Sequence, residues 1–205
     1  MVAGRERMRP SSARDAAGGC RRRAAFATLF LGLLALCRPA DAFDVRRNEA
    51  AFANGVFHVV FEGVLGAPPA GIEAVLLDYK RYKVIDPRIK RARLVGHDPD
   101  GSMRVQTTID ACAGFFCKSV DRVERFEHSP GRLVATVIPE QSDMRRGIAR
   151  TRWQVEGAGT HVYYEAEFQP DFWVPSLIGH GLALRALRDS TLRFFRNVER
   201  EANAR

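Results

Sequence analysis

Apolar positions between residues 43 and 205 recur with two periods, and the changes from one to the other set the order of elements. From Val56, "VFHVVFEGVLGAP" is rich in β-branched and aromatic residues and stops at Gly66 and Pro68, which predicts a strand. The preceding "DVRRNEAAF" is a candidate partner for it across "ANG", a hairpin-type turn. "PPAGIEAVLLDYKRY" then shifts to helical spacing, with Ile72, Val75 and Leu76 in one stripe. Pro87 in "DPRI" ends that run, because proline disfavours helix in the residue before it. Strands at hairpin spacing follow: "ARLVGHDPDG", "MRVQTTID", "CKSVDRVERFEHSPG", "RLVATVIPE", "GIARTRWQVEGAG" and "THVYYEAEFQP". Two of them alternate cleanly. Met103, Val105, Thr107 and Ile109 share one side of the second, and Val162, Tyr164, Ala166 and Phe168 share one side of the last. Short strands punctuated by Gly, Asp and Pro predict an antiparallel meander with one buried and one wet face.

The chain closes on a helical pattern from about Ser176 to Asn203, about 40 Å long at 1.5 Å per residue. Leu184, Leu187, Thr191, Phe194, Phe195, Val198 and Ala202 keep one stripe, while Arg185, Asp189, Arg193, Arg196 and Arg200 hold the opposite, solvated face. Ahead of the helix stands "PDFWVPSLIGHG", residues 170–181, where Phe172, Trp173, Val174, Leu177 and Ile178 crowd a segment bounded by prolines and glycines. Pro175 suits a first helical turn, and Gly179 and Gly181 lower its stiffness. Three readings of that apolar segment are open: it lines the mouth of a cavity, dips into a lipid interface, or closes the core.

The first 42 residues read as a leader. Arg21, Arg22 and Arg23 precede the apolar run Ala24 to Leu36, and "ADA" at Ala40 to Ala42 supplies small residues for cleavage after Ala42. The run of 13 residues is short for a bilayer span, which needs about 20. "LALC" at Cys37 resembles a lipoprotein site, but Leu36 is bulky where such sites take a small residue. Export by the general or the twin-arginine route, to a periplasmic or extracellular location, is the expectation. Residues 43–205 then form one domain.

Removing the leader changes the charge. It holds 8 of the 32 Lys and Arg and 3 of the 24 Asp and Glu, leaving 24 basic against 21 acidic residues, a net of +3 rather than +8. That is too little to point to nucleic acid, which needs a clustered basic face. Cys112 and Cys117, in "CAGFFC", are the pair that remains, and in an oxidising compartment they read as a disulfide across a hairpin. Closing so small a loop contributes about 2 kcal/mol.

Catalytic motifs are scarce. His58, His97, His128, His161 and His180 are scattered without metal-ligand spacing, and no GxSxG, P-loop or GxGxxG occurs. No metal or other cofactor is expected. Arg145 and Arg146 either clamp an acidic head group or sit in a solvated turn. Tyr79 and Tyr82 either present hydroxyls to a polar head group or pack. Trp153 belongs to a core or a pocket wall, and its indole N–H needs a partner if buried. Asp110 and Tyr164 are the acid–base candidates, with no evident pairing between them.

The element order is strand, short helices, a run of strands and one long helix. It predicts an α+β fold in which a curved antiparallel sheet of six to seven strands wraps the C-terminal helix. One helix cannot fill the concavity of such a sheet, so the remaining space is either packed with large side chains or left as an apolar pocket. On "APPAGIEAVLLDYKRYKVIDPRI", "EGAGTHVYYEAEFQP" and "PDFWVPSLIG", the chain resembles the START-like superfamily, also called SRPBCC or Bet v 1-like, with its helix-grip architecture. It is similar in particular to the bacterial polyketide cyclase/dehydrase and lipid-transport group and its coenzyme Q-binding relatives. "PEQSDMRRG" and the Cys112–Cys117 hairpin resemble exported members of that group. The resemblance implies a ligand cavity between sheet and helix, a lipid or quinone-like ligand, and neither metal nor nucleotide. The candidate lining residues are Tyr79, Tyr82, Trp153, Tyr164, Phe172, Trp173, Leu177, Ile178 and Leu184. Transient membrane contact is a further expectation. A cyclase or dehydratase acting on a polyketide-like substrate and an interaction module without ligand are the alternatives.

Overall fold

The computed structural model describes residues 43–113, 116–173 and 179–205. The expected leader, Leu177 and Ile178 lie outside the described residues. Eight strands form one antiparallel sheet: β1 (Phe43–Ala53), β2 (Val56–Leu65), β3 (Ile89–His97), β4 (Met103–Ala113), β5 (Phe116–Ser129), β6 (Arg132–Val137), β7 (Met144–Glu156) and β8 (Gly159–Pro170). Their spatial order is β1-β2-β8-β7-β6-β5-β4-β3, so the meander from β3 to β8 closes back on the first hairpin.

The expectation of six to seven strands is corrected to eight by β1. With Arg46, Arg47, Asn48 and Glu49 it reads as polar, and most of it is exposed because it is an edge strand. Its formation is driven by the turn. Asn54 and Gly55 take φ of 53° and 80°, the mirror-image geometry that matches strand twist, and fix Phe52 opposite Phe57.

Between β2 and β3 lie α1 (Pro69–Leu77), a single 3₁₀ turn (Tyr79–Arg81) and α2 (Tyr82–Ile85). Pro69 opens α1, where its missing N–H costs nothing, and Ile72, Val75 and Leu76 are buried as the stripe predicts. Asp86, ahead of Pro87, takes φ −136° and ψ 106° and ends α2.

Helix α3 (Gly179–Asn203) crosses the concave face of the sheet. Its expected start near Ser176 falls outside the described residues; its end at Asn203 agrees with the pattern. Phe195, Val198 and Ala202 are buried on the inner stripe, and the Phe195 ring stacks on Phe61 of β2 at 4.3 Å and 9°. Burying a side chain of this size contributes about 1.5–3 kcal/mol. Polar ties fix the same half of the helix. Asn197 donates to the Ile85 carbonyl at 2.7 Å, and Glu199 accepts from the Gly66 N–H at 3.1 Å. Asn203 donates to the Gly66 carbonyl at 3.0 Å, and Arg205 meets Asp78 at 2.7 Å. The C-terminal half of α3 thus plugs one end of the sheet with solid core.

Candidate ligand-binding cavity

The other half of the concavity is hollow. A cavity of about 310 Å³ lies between the sheet and α3, walled by side chains from β2 to β8, α1, α2 and the Leu187–Phe195 stretch of α3. Residue size explains it. Ala135, Ala149 and Ala166 stand in one cross-strand row over β6, β7 and β8 and leave room where larger residues would fill it. Gly147 continues the thinning, since a Cβ there would meet Val137 Cγ2 at 2.7 Å. Apolar side chains make most of the lining, among them Val120, Phe126, Leu133, Ile148, Phe168 and Phe194.

Against that wall stand a few polar groups. On β5 the inward set runs Val120, Arg122, Glu124, Phe126, so two charges sit between two apolar residues on the buried face. Arg122 Nε lies 2.9 Å from Glu124 Oε2, an ion pair in which the Nε–H is not aligned for a hydrogen bond. Glu124 is almost wholly enclosed at 6% exposure, whereas Arg122 keeps 32%. Burial pushes the Glu124 carboxyl above its ordinary pKa, and the neighbouring guanidinium offsets this only in part. Burial likewise pushes the Tyr164 hydroxyl up to about 12 and that of Tyr82 further still, so both remain protonated phenols. Tyr82 donates to the Leu76 carbonyl at 2.6 Å, while the Tyr164 hydroxyl makes no hydrogen bond to any described residue. At the α2 end, Asp86 accepts from the Arg88 backbone N–H at 3.0 Å and from its Nε at 2.9 Å. Burial raises the Asp86 pKa, but the contacts with Arg88 outweigh it and the net direction is down.

Of the residues singled out in the sequence, the fold brings Tyr82, Tyr164 and Phe172 together on the cavity wall. Phe172 packs beside Val120, Val137 and Met144, with Lys118 Nζ 4.9 Å from its ring centre. Tyr79 and Trp153 pack in the main core, away from the cavity lining. Trp153 Nε1 donates to Glu73 at 3.3 Å, and the other oxygen of Glu73 meets His128 Nε2 at 2.9 Å, which supplies the partner a buried indole needs. Trp173 is 73% exposed. Leu184 is half-buried on α3 but off the cavity lining, where Leu187 stands instead.

Asp110 pairs with Lys90 at 3.1 Å and is not on the cavity lining, so it does not join Tyr164. Arg145 meets Asp171 at 2.7 Å, and both it and Arg146 are exposed. His58, His161 and His128 each sit beside a glutamate, Glu167, Glu62 and Glu73 respectively. Among the described residues no cluster of His, Cys, Asp and Glu could hold a metal ion. Cys112 and Cys117 face each other across the β4–β5 pair and are joined by a disulfide, with Cα atoms 4.1 Å apart.

No protein-family model matches the chain, and no curated protein sequence matches it. Solved structures do. A START superfamily protein from Mycobacterium smegmatis superposes with a TM-score of 0.58 at 14% identity, over 72% of this chain and 97% of that one. The Zhui aromatase/cyclase from Streptomyces sp. R1128 gives 0.57 at 18% identity, over 73% and 95%. A STAR-related lipid transfer protein from Xanthomonas axonopodis gives 0.54 at 14% identity, over 80% and 99%. With an eight-stranded sheet gripping a C-terminal helix and these superpositions, the chain has the START/SRPBCC fold.

Proposed function

We propose that this protein binds one apolar small molecule, lipid-like or quinone-like, in the cavity between sheet and helix and shields it from water. The observation that carries the reading is the cavity itself: about 310 Å³ and largely apolar, with a minority of polar groups supplied by α2 and the segment after it, β5, β7, β8 and α3. That volume is at the lower end for small-molecule sites, which suits a compact guest. Binding is driven by removing the guest's apolar surface from water, about 0.8 kcal/mol per methylene. Similarity in fold to a START superfamily protein and a lipid transfer protein supports the reading. The test is direct: organic extracts of the purified protein are analysed by mass spectrometry, and the stripped protein is titrated with the neutral dye Nile red. A co-purifying apolar compound or dye uptake in the micromolar range supports it; neither sinks it.

We also propose that residues 1–42 are an export leader cleaved after Ala42, which leaves Phe43, the first residue of β1, as the new N-terminus. N-terminal sequencing of the exported form reads Phe43 if this holds, and full-length protein retained in the cytosol contradicts it. In the exported state Trp173 is an exposed aromatic available for brief membrane contact.

A second reading, a cyclase or dehydratase, is favoured by one observation: Glu124, with its pKa raised by burial, shares the cavity with two protonated phenols. A carboxyl tuned upward is a suitable proton donor or acceptor. The similarity in fold to an aromatase/cyclase supports it. Turnover of a polyketone that Glu124→Gln abolishes, with dye binding intact, would favour this reading over simple carriage.

A further inference from the structure

The polar groups of the cavity specify the chemistry of the guest's head. Arg122 is a guanidinium that makes no hydrogen bond to any described residue, so its outer N–H groups need an acceptor from water or from a guest. Its positive charge, however, is already matched by Glu124 at 2.9 Å. A carbonyl oxygen fits such a place, because it accepts hydrogen bonds without bringing charge. The Tyr164 hydroxyl, without a partner among the described residues and on the same cavity wall, is a second donor for it. An anionic head meets the opposite situation. It must share Arg122 with the Glu124 carboxylate, and two negative charges in an apolar enclosure repel strongly.

We propose that Arg122 and Tyr164 hold the carbonyl head of a neutral guest, and that Glu124, by occupying the charge of Arg122, excludes carboxylate and sulfonate heads. The inference rests on the cavity being a binding site and adds a selectivity rule to it. Tyr82 takes a lesser part, since its hydrogen is engaged by the Leu76 carbonyl. Asp86 and Arg88 satisfy each other at the α2 end and leave the balance at Glu124 unchanged.

The test uses three compact probes of one skeleton, naphthalene, 2-acetylnaphthalene and 2-naphthalenesulfonate, competing with Nile red at pH 7.5. Wild-type protein is expected to bind the ketone about tenfold or more tighter than naphthalene, the difference one hydrogen bond to a charged donor makes. It is expected to bind the sulfonate about tenfold or more weaker than the ketone. Glu124→Gln, near-isosteric and uncharged, is expected to raise the affinity for the sulfonate relative to the ketone by about tenfold. Equal affinity of wild type for ketone and sulfonate overturns the proposal while leaving the cavity reading intact. No displacement by any of the three overturns the cavity reading itself. Where Glu124→Gln fails to take up Nile red, the wild-type order of the three probes decides alone.

Discussion

Replacing Arg122 by leucine removes the one group that offsets the burial of Glu124 and exposes what the pair contributes to stability. The carboxyl then has two options, to stay ionised without a partner or to take up a proton. Breaking a buried pair from one side costs about 3–5 kcal/mol, and the 32% exposure of Arg122 places this case at the lower end, about 3 kcal/mol. Proton uptake caps that cost at about 1.4 kcal/mol for each pH unit above the unfolded carboxyl value of about 4.3, which is about 5 kcal/mol at pH 8 and about 1 kcal/mol at pH 5. The sign follows from the direction of the shift. A carboxyl whose folded pKa is raised opposes folding above its unfolded value, and the opposition grows with pH up to the folded value and levels off above it. Arg122→Leu is therefore expected to lose about 3 kcal/mol at pH 8, or about 6–12 °C in melting temperature, and about 1 kcal/mol or less at pH 5. Urea unfolding of both proteins at both pH values reads this directly. The double variant Arg122→Leu/Glu124→Leu is expected to recover most of the loss and to show no extra pH dependence. An equal loss at pH 5 and pH 8, or a double variant no better than the single, would refute the argument that Arg122 offsets the burial of Glu124.

Three further outcomes are expected. Ala149→Phe places a ring in the middle of the alanine row on the cavity wall; Nile red binding should fall by about tenfold or more while overpacking costs only about 1–3 kcal/mol, and retained dye binding would place the guest elsewhere. Reducing the Cys112–Cys117 bond, or changing both residues to serine, should lower stability by about 2 kcal/mol in chemical unfolding; alkylation of the untreated protein at either sulfur would show the bond absent. Asp86→Asn should cost about 1–2 kcal/mol at pH 7. The depressed pKa of Asp86 makes its stabilisation present above the unfolded value of about 3.9 and lost as pH falls through the folded one, so the difference from wild type should shrink below about pH 4.

The parts of the fold readable from sequence are those where burial is one-sided. Helix α3 carries a single inner stripe from Leu187 to Ala202, β4 buries Val105 and Thr107, and β8 buries Thr160, Val162 and Ala166 on one side, so period alone assigns their faces. Strand β5 defeats that logic because both its faces are mixed. Val123, on the outer face, is buried beneath the Ile138–Ser142 turn, with its N–H bonded to Ser142 Oγ at 2.9 Å and its carbonyl accepting from Ile138 N at 2.8 Å. The inner face meanwhile carries Arg122 and Glu124. The available signal was local: two charges flanked by Val120 and Phe126 at alternate positions, which makes sense only if the buried face has something polar to meet. The place of Trp153 depended on Glu73, 80 residues away, so no local pattern could separate core from cavity wall. Phe172 and Trp173 divide a segment that the sequence presents as uniformly apolar: Phe172 turns to the cavity beside Lys118, and Trp173 turns to solvent.

The central claim is that the hollow beside the alanine row accepts a guest, and an NMR titration addresses it without mutation. The ¹⁵N-labelled protein is titrated with 2-acetylnaphthalene while backbone amide shifts are followed. Saturable shifts centred on the amides of Arg122, Glu124, Ala149, Tyr164 and Phe195, with the outer edge strand β1 unmoved, are the predicted result. Shifts confined to β1 or the outward face of α3, or none up to the solubility limit of the ketone, would contradict it.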